Sequence, residues 1–156
     1  MDNPIPTVSK LDLESLELGK THRLNLHIVS DGIGNPISIP IMVARGLKPG
    51  PTFGLIAAIH GNEINGLPVI QRVLNKIDPT KLSGTIIGVL VANVPGFLLK
   101  QRKFNDQIDL NHIMPGNKHG NRSEIYAYRI LRKVVSHCDY LIDLHTASFG
   151  RINSYY

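Results

Sequence analysis

Three apolar runs constrain this chain more than anything else in it: TFGLIAAIH (Thr52–His60), TIIGVLVAN (Thr85–Asn93) and YLIDLH (Tyr140–His145). None alternates polar with apolar residues; the first reads as a strand buried on both faces, the second as another buried strand and the third as an apolar strand. Between the first two lies EINGLPVIQRVLNKI, where Ile64, Leu67, Ile70, Val73, Leu74 and Ile77 recur at helical spacing. Gly66 and Pro68 fall in its opening turn, where a proline removes no intrahelical bond. Before the third run, Asn121 and Glu124 fit a capping box and predict a helix over roughly 122–137. The order strand, helix, strand, loop, helix, strand implies parallel pairing with right-handed crossovers. Upstream, THRLNLHIVS and ISIPIMVARG flank the turn DGIGNP and predict an antiparallel hairpin, after which LKPGP breaks the chain. The expected fold is therefore α/β: a mainly parallel or mixed sheet with flanking helices and an N-terminal antiparallel hairpin.

A chain of 156 residues is the size of one domain. The ambiguous first twenty residues suggest an N-terminal extension over 1–21, with the domain itself over 22–156. The single cysteine, Cys138, permits no disulfide within the chain and is expected in the core. No stretch is apolar enough to span a membrane, and the N-terminus lacks a basic region followed by an apolar one, so a cytoplasmic protein is expected. The net charge of +5 comes from scattered basic residues. That disfavours nucleic acid as a partner and suits small anions.

In open α/β sheets the binding crevice lies beyond the carboxyl ends of the strands. His60 and Glu63 follow the first run, Asn93 ends the second, and Asp143 and His145 end the third. His60, Glu63 and His145 form a two-histidine, one-carboxylate set of the kind that holds zinc and leaves a position for water, whose pKa the ion lowers to about 7. With seven histidines in the chain, a chance pairing of His60 with Glu63 remains an alternative on spacing alone. Iron, cobalt or manganese would suit the same donors. Asp143 shares a strand face with His145 and fits either a partner to that ring or a structural pair.

The motifs AIHGNEINGLPVI, VANVPGF, an arginine followed by DLNHIMPG, and LIDLHTAS occur in one order and spacing. Together they strongly resemble the succinylglutamate desuccinylase and aspartoacylase family, relatives of the zinc carboxypeptidases, over roughly Leu24 to Tyr156. The resemblance implies a zinc carboxypeptidase-like fold and hydrolysis of the amide bond of a small N-acyl amino acid, with one zinc ion held by His60, Glu63 and His145. It implies that Arg102 polarises the scissile carbonyl and stabilises the oxyanion, a contribution of about 3 kcal/mol in a dry site. It implies that Asn111 helps to hold the substrate carboxylate and that Asp109 supports the loop. Homo-oligomers are compatible with it; a membrane partner is not expected.

Two departures from the family pattern matter. His112 stands where the family carries an arginine that clamps the substrate carboxylate; a histidine offers at most one donor there and is only partly charged at neutral pH. Either the substrate differs or another cation helps, with Arg122 and Arg151 as candidates. Family members also continue further and carry their general-base glutamate in that continuation, whereas no glutamate here follows Glu124. The expectation is a truncated chain with an apolar sheet edge. It would bind zinc yet hydrolyse poorly, since general-base catalysis contributes about 10²–10⁴-fold. Two other readings stand beside this one: a carboxypeptidase acting on short peptides, and a non-catalytic binding module that keeps the metal as structure.

Overall fold

The chain was analysed as a computed structural model that describes residues 4–148. Six strands form one mixed sheet: β1 (Thr7–Val8), β2 (Lys20–Ser30), β3 (Pro36–Arg45), β4 (Lys48–Ala57), β5 (Ser83–Val89) and β6 (Tyr140–Leu144), in the order β1-β2-β3-β5-β4-β6. The expected hairpin is present, with β2 antiparallel to β3 and the Asp31 carboxylate accepting hydrogen bonds from the Ile33 and Asn35 N–H groups in the turn. β5 runs antiparallel to β3, while β4 runs parallel to both β5 and β6. The N-terminal segment joins the same body: Thr7 and Val8 pair with β2, and Leu11 is fully enclosed in the main core.

The helices α1 (Gly66–Lys76) and α3 (Arg122–Lys133) cover opposite faces of the sheet. Side chains alternate accordingly. Met42, Ala44, Leu55 and Ala57 meet Ile70 and Leu74 of α1. Ile41, Val43, Ile56, Ile87 and Val89 lie with Tyr126 and Ile130 of α3. Because β5 and β6 flank β4 on opposite sides, the chain changes its direction across the sheet at β4. This is the switch point at which an α/β sheet opens a crevice beyond its strand ends.

The structure corrects several boundaries. LKPGP does not break the chain; β4 already begins at Lys48, and its register against β5 shifts between Lys48 and Thr52. The predicted helix 122–137 stops at Lys133, because Val134 leaves helical geometry at φ −127°, and a short 3₁₀ turn, Val135–His137, completes the segment. Its capping box forms as predicted: the Asn121 side chain accepts from the Glu124 N–H, and the Glu124 carboxylate from the Asn121 N–H. The expected apolar sheet edge is present: among the described residues β6 has β4 as its one neighbour, and Tyr140, Leu141 and Ile142 are 63%, 42% and 46% exposed.

The long segment between β5 and α3 is ordered by packing. It opens with a short helix, α2 (Val94–Leu98), and is pinned by Phe104, which is fully buried with its ring 4.8 Å from that of Tyr126. Tyr126 in turn donates from its hydroxyl to the Ala92 carbonyl at 2.8 Å. Phe104→Ala is expected to cost about 3–5 kcal/mol of stability, as removal of a fully buried aromatic ring usually does. Denaturant titration of the two proteins checks it.

Candidate metal centre

β4 ends at Ala57, and the next residue, Ala58, has φ +54°, a left-handed conformation uncommon for a residue with a Cβ. The turn is held from the side: the Ala92 and Asn93 N–H groups donate to the Ala57 and Ala58 carbonyls, both at 2.9 Å. Gly61 then passes against the backbone of Gly96 and Phe97, an approach that leaves no room for a side chain. The Glu63 N–H donates to the His60 carbonyl at 3.0 Å, so the His-x-x-Glu segment folds back on itself. Both side chains end buried, at 2% and 3% exposure, beyond the end of the strand.

His145, just past the end of β6, completes the group. Candidate ligand atoms of His60, Glu63 and His145 all lie within 4.8 Å of one another. Around one zinc ion, with bonds of about 2.0–2.2 Å, such atoms sit about 3.4 Å apart, so the three side chains need to close only slightly. Each histidine has a carboxylate partner on the far side of its ring: His60 Nε2 lies 3.1 Å from Asp109 Oδ1, and His145 Nε2 lies 2.9 Å from Asp143 Oδ2. An acceptor at Nε2 favours the ring proton there and would present Nδ1 to a metal ion, as metal-binding histidines are oriented, while His145 Nδ1 also lies within hydrogen-bond distance of Glu63 Oε2. Both Nδ1 atoms face the same carboxylate, His60 at 3.1 Å from Glu63 Oε1 and His145 at 3.1 Å from Glu63 Oε2. The His60 contact is close but misaligned for a hydrogen bond, so this buried nitrogen is left without a partner from the protein. Two imidazole lone pairs and a carboxylate converging on one point fit a divalent cation.

Glu63 is held by more than the histidines. Oε1 accepts from Arg102 Nη1 at 2.9 Å and from the Ser148 hydroxyl at 2.9 Å, and Oε2 accepts from the Thr146 N–H at 3.1 Å. Burial alone would raise the Glu63 pKa. The hydrogen bonds from Ser148 and Thr146 and the nearby His60 ring outweigh it and hold the carboxyl below its ordinary value. Asp109 behaves likewise: burial pushes it up, but His60, Arg102 and the Asn111 N–H bring it down. Both groups are thus ionised at neutral pH, the state in which a carboxylate binds a metal or orients an imidazole.

Arg102 bridges the two carboxylates, with Nε 3.1 Å from Asp109 Oδ2 and Nη1 on Glu63. Its side chain is 38% exposed. Of the two pairings open to Asp143, the structure shows the one with His145. Asn93 is not part of the group: its side chain is fully buried, caps α2 by accepting from the Gly96 N–H at 2.9 Å, and reaches the Arg102 carbonyl at 3.4 Å. It fixes the backbone that carries Arg102. Asn111 and His112 are exposed and lie in the 3₁₀ turn Leu110–Ile113, tied by their backbone N–H groups to Asp109. Neither side chain hydrogen-bonds the cluster among the described residues. Arg122 lies elsewhere, beside Gly32 of the hairpin turn and close to Arg129. Arg151 is outside the described residues. Thr146 and Ser148 close the motif LIDLHTAS, but nothing in its spacing pointed to their contacts with Glu63.

The family description "Succinylglutamate desuccinylase/Aspartoacylase catalytic domain" matches residues 49–156. An N-alpha-acetyl-L-2,4-diaminobutyric acid deacetylase from Halomonas elongata is 30% identical over 146 residues, covering 92% of this chain and 42% of that protein. A succinylglutamate desuccinylase/aspartoacylase structure from Rhodobacter sphaeroides superposes with a TM-score of 0.77 at 24% identity, covering 89% of this chain and 43% of the other. The product-bound ectoine utilization protein EutE (DoeB) from Ruegeria pomeroyi superposes with a TM-score of 0.70 at 25% identity, covering 85% of this chain and 42% of the other. The chain therefore spans less than half the length of these relatives.

Proposed function

The chain belongs to the succinylglutamate desuccinylase/aspartoacylase family, and from that premise we propose that it carries the zinc-binding part of a deacylase that hydrolyses the amide bond of a small N-acyl amino acid. The observation that bears most weight is the pairing of each candidate ligand ring with a carboxylate at Nε2, which turns both Nδ1 atoms toward Glu63. Residues 22–156 would carry the metal-binding domain, with the described part of the preceding segment adding β1 and the start of β2 to its sheet. His60, Glu63 and His145 would hold the ion. A zinc ion bound there supplies Lewis acidity and a nucleophile drawn from water near neutral pH. Asp109 and Asp143 keep the two rings in the binding tautomer. Arg102, fixed between Glu63 and Asp109, presents its remaining N–H groups to the crevice, where they would receive the negative charge that develops on the acyl oxygen.

The substrate side rests on Asn111 and His112. Both are exposed on a turn anchored to Asp109, which also holds His60, so a substrate carboxylate bound there would sit at a fixed distance from the cradle. A single imidazole donor grips a carboxylate less well than a two-pronged guanidinium. The protein should therefore tolerate N-acyl amino acids beyond acyl-aspartate and acyl-glutamate. N-acetylated diamino acids, the chemistry in the name of the Halomonas relative, belong in the first panel. The test is a screen of N-acetyl and N-succinyl amino acids with the zinc-loaded protein at its full natural length, followed by amine release. Hydrolysis of acyl amino acids, but not of dipeptides, is the expected result. Preference for peptides would favour a carboxypeptidase, and zinc binding without any turnover would favour a binding module. His112→Arg is expected to lower KM for acyl-aspartate about tenfold, the equivalent of one added charge-assisted hydrogen bond; steady-state kinetics on that substrate checks it.

A further inference from the structure

We propose that Ser148 is a positioning residue that couples the metal-holding carboxylate of Glu63 to Arg102. This rests on the reading of His60, Glu63 and His145 as a zinc cradle. The Ser148 hydroxyl lies 2.9 Å from Glu63 Oε1 and 3.2 Å from Arg102 Nη1, while that same Nη1 lies 2.9 Å from Oε1. The three atoms close a triangle. A hydroxyl has one proton to give and lone pairs to receive with, and Nη1 has two N–H groups. The only full assignment has Ser148 donating to Glu63 and accepting from Arg102, with the second Nη1 proton going to Glu63.

The triangle has a consequence for the metal site. Oε1 is occupied from outside by Ser148 and Arg102, and Oε2 takes the Thr146 N–H. The carboxylate cannot rotate without breaking several of these bonds together, so the one lone pair left, on Oε2, stays turned toward His145 Nδ1, 3.1 Å away, and Oε1 stays beside His60 Nδ1. Ser148 contributes through geometry rather than charge: without its oxygen, Arg102 keeps a single bond to Glu63 and gains freedom about its terminal torsion. The residue touches neither histidine, and its place is set by the chain's turn after β6. For that reason its contribution should appear in metal affinity and in the catalytic step, not in folding.

The test uses Ser148→Ala and Ser148→Thr in the protein at its full natural length, with zinc affinity read by chelator competition and kcat read at saturating zinc. Loss of a group that orients a ligand typically lowers metal affinity or activity 10–100-fold. Ser148→Ala is expected to weaken zinc binding at least about tenfold and to lower kcat with KM nearly unchanged, while the melting temperature of the zinc-free protein stays within a degree or so of the parent. Ser148→Thr, which keeps the hydroxyl, is expected to restore both. Parental zinc affinity in Ser148→Ala would overturn the proposal. So would a loss that Ser148→Thr fails to restore, or one matched by a fall in zinc-free stability, since those mark a packing role. A parent protein that takes up no zinc would overturn the cradle reading as well. A parent that binds zinc normally while Ser148→Ala does the same overturns only this inference.

Discussion

Replacing His145 with alanine is expected to lower zinc affinity by more than about 100-fold, beyond the 10–100-fold that loss of a merely orienting partner produces. Glu63 and His60 are anchored from several directions, but two donors cannot close a coordination sphere that needs three protein ligands. His145 also comes from a different strand, so its removal uncouples the end of β6 from the end of β4 at the metal. The variant should fold, because the ring is one-third exposed and belongs to neither core cluster. Thermal melting shows this in a second way. Zinc at 100 times its Kd stabilises a native protein by about 2.7 kcal/mol. The parent should therefore melt several degrees higher with zinc than with chelator, and His145→Ala should show no such difference.

Arg102→Ala is expected to lower kcat about 10²–10³-fold on whichever acyl amino acid proves best, the loss seen when one fixed donor to an oxyanion is removed. The side chain has two duties here that must be separated. Its bonds to Glu63 and Asp109 make it part of the cradle, and its exposed portion makes it available to substrate. The first duty predicts weaker zinc binding, which excess zinc repairs. The second predicts a kcat defect that excess zinc leaves in place. Full recovery at saturating zinc would mean that Arg102 acts on the metal site alone.

Much of this arrangement was readable in the residues themselves. His60 and Glu63 became legible only when read with His145 and the linked motifs, since their spacing alone left a chance pairing open. The hairpin followed from two alternating segments around DGIGNP, and the start of α3 from the pairing of Asn121 with Glu124. What depended on distant packing was less visible. YLIDLH reads only as an apolar strand, and the sheet order is what places it at the expected apolar edge. Asn93 has the residue type and the position of a site group. Its amide instead turns inward to cap α2 and brace Arg102, a choice set by the close passage of two loops. Ser148 and Thr146 reach Glu63 across more than eighty positions of sequence, and no spacing rule announces such a bond. Arg122 reads as a spare cation near a helix start, yet the helix start lies at the hairpin turn rather than at the strand ends.

The central claim is that one ion is held by two imidazole Nδ1 atoms and the Glu63 carboxylate, with both Nε2 atoms committed to aspartates. Anomalous diffraction at the zinc absorption edge, from crystals of the zinc-loaded protein, tests it most directly. One peak per chain is expected, about 2.0–2.2 Å from His60 Nδ1, His145 Nδ1 and a Glu63 oxygen, with the Asp109 and Asp143 contacts retained. The absence of a peak there, or a peak bound through either Nε2, would contradict it.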